Sequence, residues 1–183
     1  MSPTYRPPGG LPGLTSKTLF SAEELKHLYQ GFKAQCPEGV AKEETFKEIY
    51  AQFFPPGVNS GQYAHHLFRC MDHNQKGEVN FEDFAAAMST LSRGPLTERL
   101  RWVFVLYDQD GDGRISRAEF LTIAAAVFAL IGPYAKPPIT EQTVKLDLDN
   151  DGFISEDEFL SSCLNDDMIM ASMMVLEESL AYI

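Results

Sequence analysis

Between residues 108 and 119 the side chains that carry oxygen fall at fixed offsets: Asp108, Asp110, Asp112, then Ser116 and Glu119, with Gly113 and Ile115 set between them. A hard divalent cation such as Ca²⁺ takes about six to eight oxygen ligands. A twelve-residue loop supplies them from side chains at positions one, three and five, a backbone carbonyl at seven, a hydroxyl or bridging water at nine, and a bidentate carboxylate at twelve. Here these are Asp108, Asp110, Asp112, Arg114 through its carbonyl alone, Ser116 and Glu119. Gly113 takes the sixth position, where the chain turns through a conformation that a Cβ would strain. The spacing returns at Asp147, Asp149, Asp151, Phe153 through its carbonyl, Ser155 and Glu158, with Gly152 at the turn. A merely solvated acidic loop would not place a glycine, a β-branched residue and a glutamate at these offsets, so both runs read as Ca²⁺ sites.

The elements that must hold such loops repeat along the chain. Gly39, Gly77, Gly113 and Gly152 lie 38, 36 and 39 residues apart, and each is followed by a phenylalanine, Phe46, Phe84, Phe120 and Phe159. Four helix–loop–helix units at this period give an all-α fold of four EF-hands in two paired lobes. Leu25, Leu28, Tyr29 and Phe32 form the apolar stripe of the first entering helix, and Ala64, Leu67, Phe68 and Met71 that of the second. In the third, Leu100, Val103, Phe104 and Tyr107 point to the core, while Trp102 and Leu106 make a pair off that stripe. Before the fourth loop the matching positions are Ile139, Gln142, Thr143 and Leu146. Pro133, Pro137 and Pro138 confine the helix there to about Thr140–Leu146. That scaffold is expected to be weaker than the third.

The first two loops depart from the pattern. Lys33 to Phe46 is 13 residues where the other loops have 12, the loop carries Pro37, and Lys33 and Lys42 stand where oxygens should be, so no metal is expected. The second loop keeps Asp72, Asn74, Asn80, Gly77 and Val79, but has Lys76 at position five and Asp83 at twelve. Lysine offers no oxygen, and aspartate is one methylene short of bidentate reach. Weak Mg²⁺ or Ca²⁺ occupancy is the most such a loop admits.

Residues 1–20 are rich in proline and glycine and read as a flexible tail, in which Leu11, Leu14, Leu19 and Phe20 offer docking points. Ser21 with Glu24 forms a capping box that opens the first pair, 21–93. The second pair and a final helix fill 94–183. In that helix Ile169, Met173, Leu176, Leu180 and Ile183 make the stripe, and four methionines make it re-packable. The 183 residues carry a net charge of −11, which argues against nucleic acid as a partner. Cys36, Cys70 and Cys163 suggest thiols in a reducing compartment. No signal peptide is visible, Ser2 excludes N-myristoylation of this form, and Phe120–Ile131 is too short to span a bilayer. The location expected is cytoplasmic. His27, His65, His66 and His73 have no nucleophile or metal-site partner at useful spacing, so an enzyme is not expected.

The segments YQGFKAQCPEG, FKEIYAQFFPPG, YAHHLFRCMD, GEVNFEDF, LRWVFVLYDQDGDGRIS and CLNDDMIM, from about Phe20 to Met170, resemble the neuronal calcium sensor family. Within it they are most similar to the Kv-channel-interacting proteins. The resemblance implies a calmodulin- or recoverin-like fold, a first hand disabled by Cys36–Pro37 and a second weakened by Asp83. It further implies a cytosolic subunit, peripheral at the plasma membrane through its partner. That partner would be an A-type voltage-gated potassium channel, whose N-terminal helix sits in an apolar groove and whose trafficking and gating are modulated. Other roles found in such a family are a calcium-dependent transcriptional repressor, an enzyme regulator or a calcium buffer, and a homo-oligomer is compatible with the same apolar surfaces. Two features depart from the family: no cysteine precedes Cys36, and about a helix's worth of residues is missing between Ile131 and Asp147. Phe53, Phe54, Tyr63, Phe68, Phe84, Met88, Trp102 and Leu106 are the expected groove residues, with the final helix as a lid. Calcium at the third and fourth loops would reorient the helices and change the apolar surface on offer.

Overall fold

The computed structural model describes residues 10–52, 54–131 and 146–174. Its first long helix starts where the capping box puts it. Ser21 Oγ accepts the Glu24 N–H, and the Glu24 carboxylate accepts the Ser21 N–H at 2.8 Å, which satisfies two donors that a helix start leaves open. That helix, α2 (Ala22–Gln35), follows a short α1 (Gly10–Thr15) and leads through β1 (Val40–Lys42) to α3 (Glu43–Ala51). The second unit is α4 (Gly61–Met71), β2 (Glu78–Asn80) and α5 (Phe81–Arg93). The third is α6 (Leu96–Tyr107), β3 (Arg114–Ser116) and α7 (Arg117–Ile131). The fourth is described from Leu146 onward, with β4 (Phe153–Ser155), α8 (Glu156–Asn165) and the final α9 (Asp167–Met174). The all-α, paired EF-hand architecture is therefore present. The stripe positions Ile139, Gln142 and Thr143, the residues Leu176, Leu180 and Ile183, and the candidate groove residue Phe53 lie outside the described residues.

Each pair is joined by a short antiparallel ladder. Ala41 faces Val79 across β1–β2, and Ile115 faces Ile154 across β3–β4. Ladders of three residues are marginal alone. These persist because their central side chains are buried, Val79 and Ile115 completely. Position eight of an EF-hand loop is thus both a strand centre and a core residue.

The first pair keeps the ladder although its first loop is broken. Counting from the Ala41–Val79 match, Thr45 stands where the other loops carry Asp83, Glu119 and Glu158, so the closing carboxylate is missing. Lys42 starts α3 with no side-chain cap, whereas Asn80 and Ser155 cap their helices.

The two pairs share one core. Phe46, Leu67, Phe68 and Leu91 from the first pack with Leu100, Phe104, Phe120 and Phe159 from the second. The helix α4 lies against both α6 and α7. Fully buried aromatics such as Phe120 and Phe159 each contribute about 1.5–3 kcal/mol by leaving water. The chain passes between the pairs at Gly94, whose N–H bonds the Thr90 carbonyl at 2.9 Å. A Cβ at Gly94 would lie 2.5 Å from that carbonyl oxygen, so only glycine fits the approach.

A smaller core gathers Leu14, Leu25, Phe32, Cys36, Ala41, Phe81 and Ala85. Leu14 on α1 is 1% exposed, and Lys17 pairs with Glu82 at 2.5 Å. The expected flexible tail of residues 1–20 is therefore corrected over its second half. One leucine anchored among α2 and α5 side chains outweighs the proline- and glycine-rich composition there.

Candidate metal centres

In the third loop the backbone already converges on carboxylates. The Asp108 carboxylate accepts the N–H groups of Gly111 at 2.9 Å, Asp112 at 3.2 Å and Gly113 at 2.9 Å. Glu119 crosses the loop. Its Oε1 accepts the Gln109 and Asp110 N–H groups at 2.9 and 3.2 Å, and its Oε2 accepts the N–H and Oγ–H of Ser116 at 2.8 and 2.7 Å. Ser116 Oγ in turn accepts the Glu119 N–H, so position nine and position twelve form a capping box that starts α7. The fold thus uses the same two residues to begin a helix and to aim a carboxylate inward.

The fourth loop repeats this arrangement. Glu158 Oε1 accepts Leu148 N–H at 3.0 Å and Asp149 N–H at 3.2 Å, while Oε2 accepts Ser155 N–H at 2.9 Å and Oγ–H at 2.7 Å. One oxygen differs. Asp147 Oδ2 accepts the Gly152 N–H at 3.1 Å, but Asp147 Oδ1 is sealed from solvent and takes no hydrogen bond among the described residues. A buried carboxylate oxygen without a donor costs free energy unless a cation meets it.

The carboxylate oxygens of Asp108, Asp110 and Asp112 lie within 4.8 Å of one another, and so do those of Asp147, Asp149 and Asp151. Negative oxygens this close suit a hard divalent ion, and all twelve predicted ligand residues fall in these two loops. Burial raises the Asp108 carboxyl above its ordinary value, and the nearby Glu119 charge adds to this against the amides that hold it down. Burial also acts to raise Glu119, but the Ser116 hydroxyl and the Ser116, Asp110 and Gln109 amides outweigh it and hold the group below the usual carboxylate range. Glu158 is held low in the same way, burial being outweighed by Ser155, Asp149 and Leu148. Both position-twelve glutamates are therefore charged and ready as ligands at neutral pH.

The second loop does not fit a Ca²⁺ cage. Asp72 accepts the Lys76 and Gly77 N–H groups at 3.1 and 2.7 Å, so its turn is formed. Asp83, however, stays with its own helix start, accepting from the Asn80 side chain at 2.7 Å and capped by Asn80 Oδ1. It does not reach the N–H groups of His73 and Asn74 as Glu119 and Glu158 reach their counterparts. Burial pushes its carboxyl up. In the first loop Lys33 donates to the Pro37 carbonyl, filling with a cationic side chain the place where a loop would begin.

The expected groove is corrected. Tyr63, Phe68, Met88 and Leu106 are all under 5% exposed and belong to the core, because the inward stripes of α4, α5 and α6 face the neighbouring pair. Phe54 and Trp102 pack on that core from its edge. Of the expected residues that are described, Phe84 lines the open groove, a cavity of about 600 Å³ between α2, α3 and α5. Its walls are Phe20, Leu28, Phe32, Phe46 and Ile49. At one end Arg93 bonds the Glu24 carboxylate at 3.0 and 2.5 Å and lies over the Phe20 ring at 4.8 Å. No described helix is long and apolar enough to cross a membrane.

The model of an EF-hand domain pair matches residues 97–164, and a second model of the same description matches residues 37–91. Both matches coincide with the ladders described above, one on each side of Gly94. The chain belongs to the EF-hand calcium-binding family, and among the described residues the aspartate clusters of its third and fourth loops are groups that could hold the ion.

Proposed function

We propose that the protein is a calcium-sensing regulatory subunit of the Kv-channel-interacting kind within the neuronal calcium sensors. In this reading it takes the cytoplasmic N-terminal helix of an A-type voltage-gated potassium channel into the groove of its first pair. The observation that carries the reading is the groove itself. It is open, apolar along its walls, and built by the pair whose two loops depart from the calcium pattern. A calcium buffer would have no use for such a surface, whereas an amphipathic helix laid into an apolar groove is a recurring mode of recognition. The Arg93–Glu24 pair offers polar contacts at the rim.

Calcium acts on this surface through the shared core. Phe46 lines the groove and packs on Phe68 at 5.8 Å between ring centroids, and Phe68 belongs to the core that α6 and α7 complete. Linkage then requires that if Ca²⁺ strengthens helix binding, the helix strengthens Ca²⁺ binding by the same factor. The test is calorimetric titration of a channel N-terminal peptide, with and without Ca²⁺, into the native chain and into Leu28→Glu. Micromolar or tighter binding is expected, weakened by at least about tenfold when a charge enters the apolar wall. No heat and no co-elution in either condition would overturn the reading.

A further inference from the structure

Arg69 and Gln109 stand on opposite sides of the Gly94 junction, yet Arg69 Nη2 donates to the Gln109 carbonyl oxygen at 3.1 Å. That carbonyl shares one peptide group with the Asp110 N–H, which donates to Glu119 Oε1 at 3.2 Å. A single planar amide therefore sits between a guanidinium of α4 and the carboxylate that closes the third loop. A cation on the carbonyl polarises the amide and strengthens its N–H as a donor. The corresponding peptide of the fourth loop also holds its glutamate, through Asp149 N–H. Among the described residues, however, no side chain donates to the Leu148 carbonyl. Among the described residues the device belongs to the third loop alone.

The setting fits this role. Arg69 is in the last turn of α4, in the cleft between the second and third loops that Asp72, Asp108 and Gly111 also line. The helix α4 packs against α6 and α7, which enter and leave the third loop. We propose that Arg69 is a positioning residue for calcium at the third loop, fixing Glu119 Oε1 through the Gln109–Asp110 peptide and tying that loop's affinity to the placement of α4. The proposal rests on Ca²⁺ binding by the third loop and not on the channel reading. By reciprocity, whatever shifts α4 changes the affinity of the third loop, and loading the loop restrains α4.

Charge alone gives the opposite sign. A guanidinium near a cation site repels the ion, so its removal would raise affinity if repulsion were all it contributed. The experiment uses the full chain carrying Glu158→Gln, so that calorimetry reads the third loop, and compares Arg69→Ala and Arg69→Lys in that background. Arg69→Ala is expected to weaken Ca²⁺ binding by about fivefold, with Arg69→Lys between it and the parent. The Asp110 amide proton, followed by NMR, is expected to move upfield in Arg69→Ala while the Asp149 amide stays in place. Unchanged or tighter binding in Arg69→Ala, or an Asp110 amide that does not move, would overturn the proposal. A parent that takes up no Ca²⁺ would remove the third site itself, and the proposal with it.

Discussion

Arg114 of the third loop lays its guanidinium over the Phe153 ring of the fourth, 4.5 Å from the centroid. Both residues occupy position seven, where the backbone carbonyl is the ligand and the side chain is left to do something else. The β3–β4 register brings the two side chains together, and Asp112 adds an ion pair to Arg114 at 3.6 Å. The two residues whose carbonyls would be ligands in the two loops are thereby tied together across the ladder.

Phe153→Ala should therefore loosen the coupling between the two ions while leaving every ligand atom in place. An exposed cation–π contact is worth about 0.5–1 kcal/mol, or roughly a two- to fivefold change in coupling. Calcium titration should show a Hill coefficient closer to one than in the native chain. An unchanged coefficient would mean that the ladder alone couples the loops.

Glu119→Gln should cost more affinity than Glu158→Gln, by at least about tenfold in its own loop. Three amides hold the Asp108 carboxylate, but among the described residues Gly152 alone holds that of Asp147, so the third loop is better arranged before the ion arrives. Calorimetry on the two variants gives the order directly, and the reverse order would contradict this account of the loops.

The second loop should be repairable. Lys76→Asp restores an oxygen at position five, and Asp83→Glu restores the reach across the loop that Glu119 shows. Together they should add one Ca²⁺ per chain, read by equilibrium binding. Either change alone should add little, because a cage with a lysine or a short twelfth ligand stays incomplete.

Glu24 reports on the end of the groove. Its side-chain bonds to Arg93, then those from Ser21, lower its carboxyl from the ordinary 4.5 to about 2. A folded-state value below the unfolded one means that the contribution to stability is fully present above about pH 4.5 and is lost as pH falls through 2. NMR titration should place the Glu24 midpoint near 2, and Arg93→Met should move it up toward the ordinary value. Amide exchange at Leu19, whose carbonyl Arg93 also holds, should quicken in that variant.

The loops were legible in the sequence because each position has one chemical requirement: an oxygen at one, three and five, a glycine at six, a glutamate at twelve. The capping box at Ser21 and Glu24 was legible for the same reason. The groove was not. An apolar stripe shows which face of a helix avoids water, but not whether a neighbouring helix or an open groove covers it. Phe68 and Met88 proved to be core, and Leu28 and Ile49 line the opening. Leu14 was one leucine among prolines and glycines, with nothing local to show that α2 and α5 would bury it. The Arg69–Gln109 bond joins residues 40 positions apart and leaves no mark in either local pattern.

The central claim is that two carboxylate cages, at Asp108–Glu119 and Asp147–Glu158, take up calcium. Flow dialysis of the purified chain against labelled Ca²⁺ in the sub-millimolar range measures this most directly. Two ions per chain are expected, falling to one in Glu119→Gln or Glu158→Gln and to none in the double variant. A native chain that binds no calcium over that range would contradict the account.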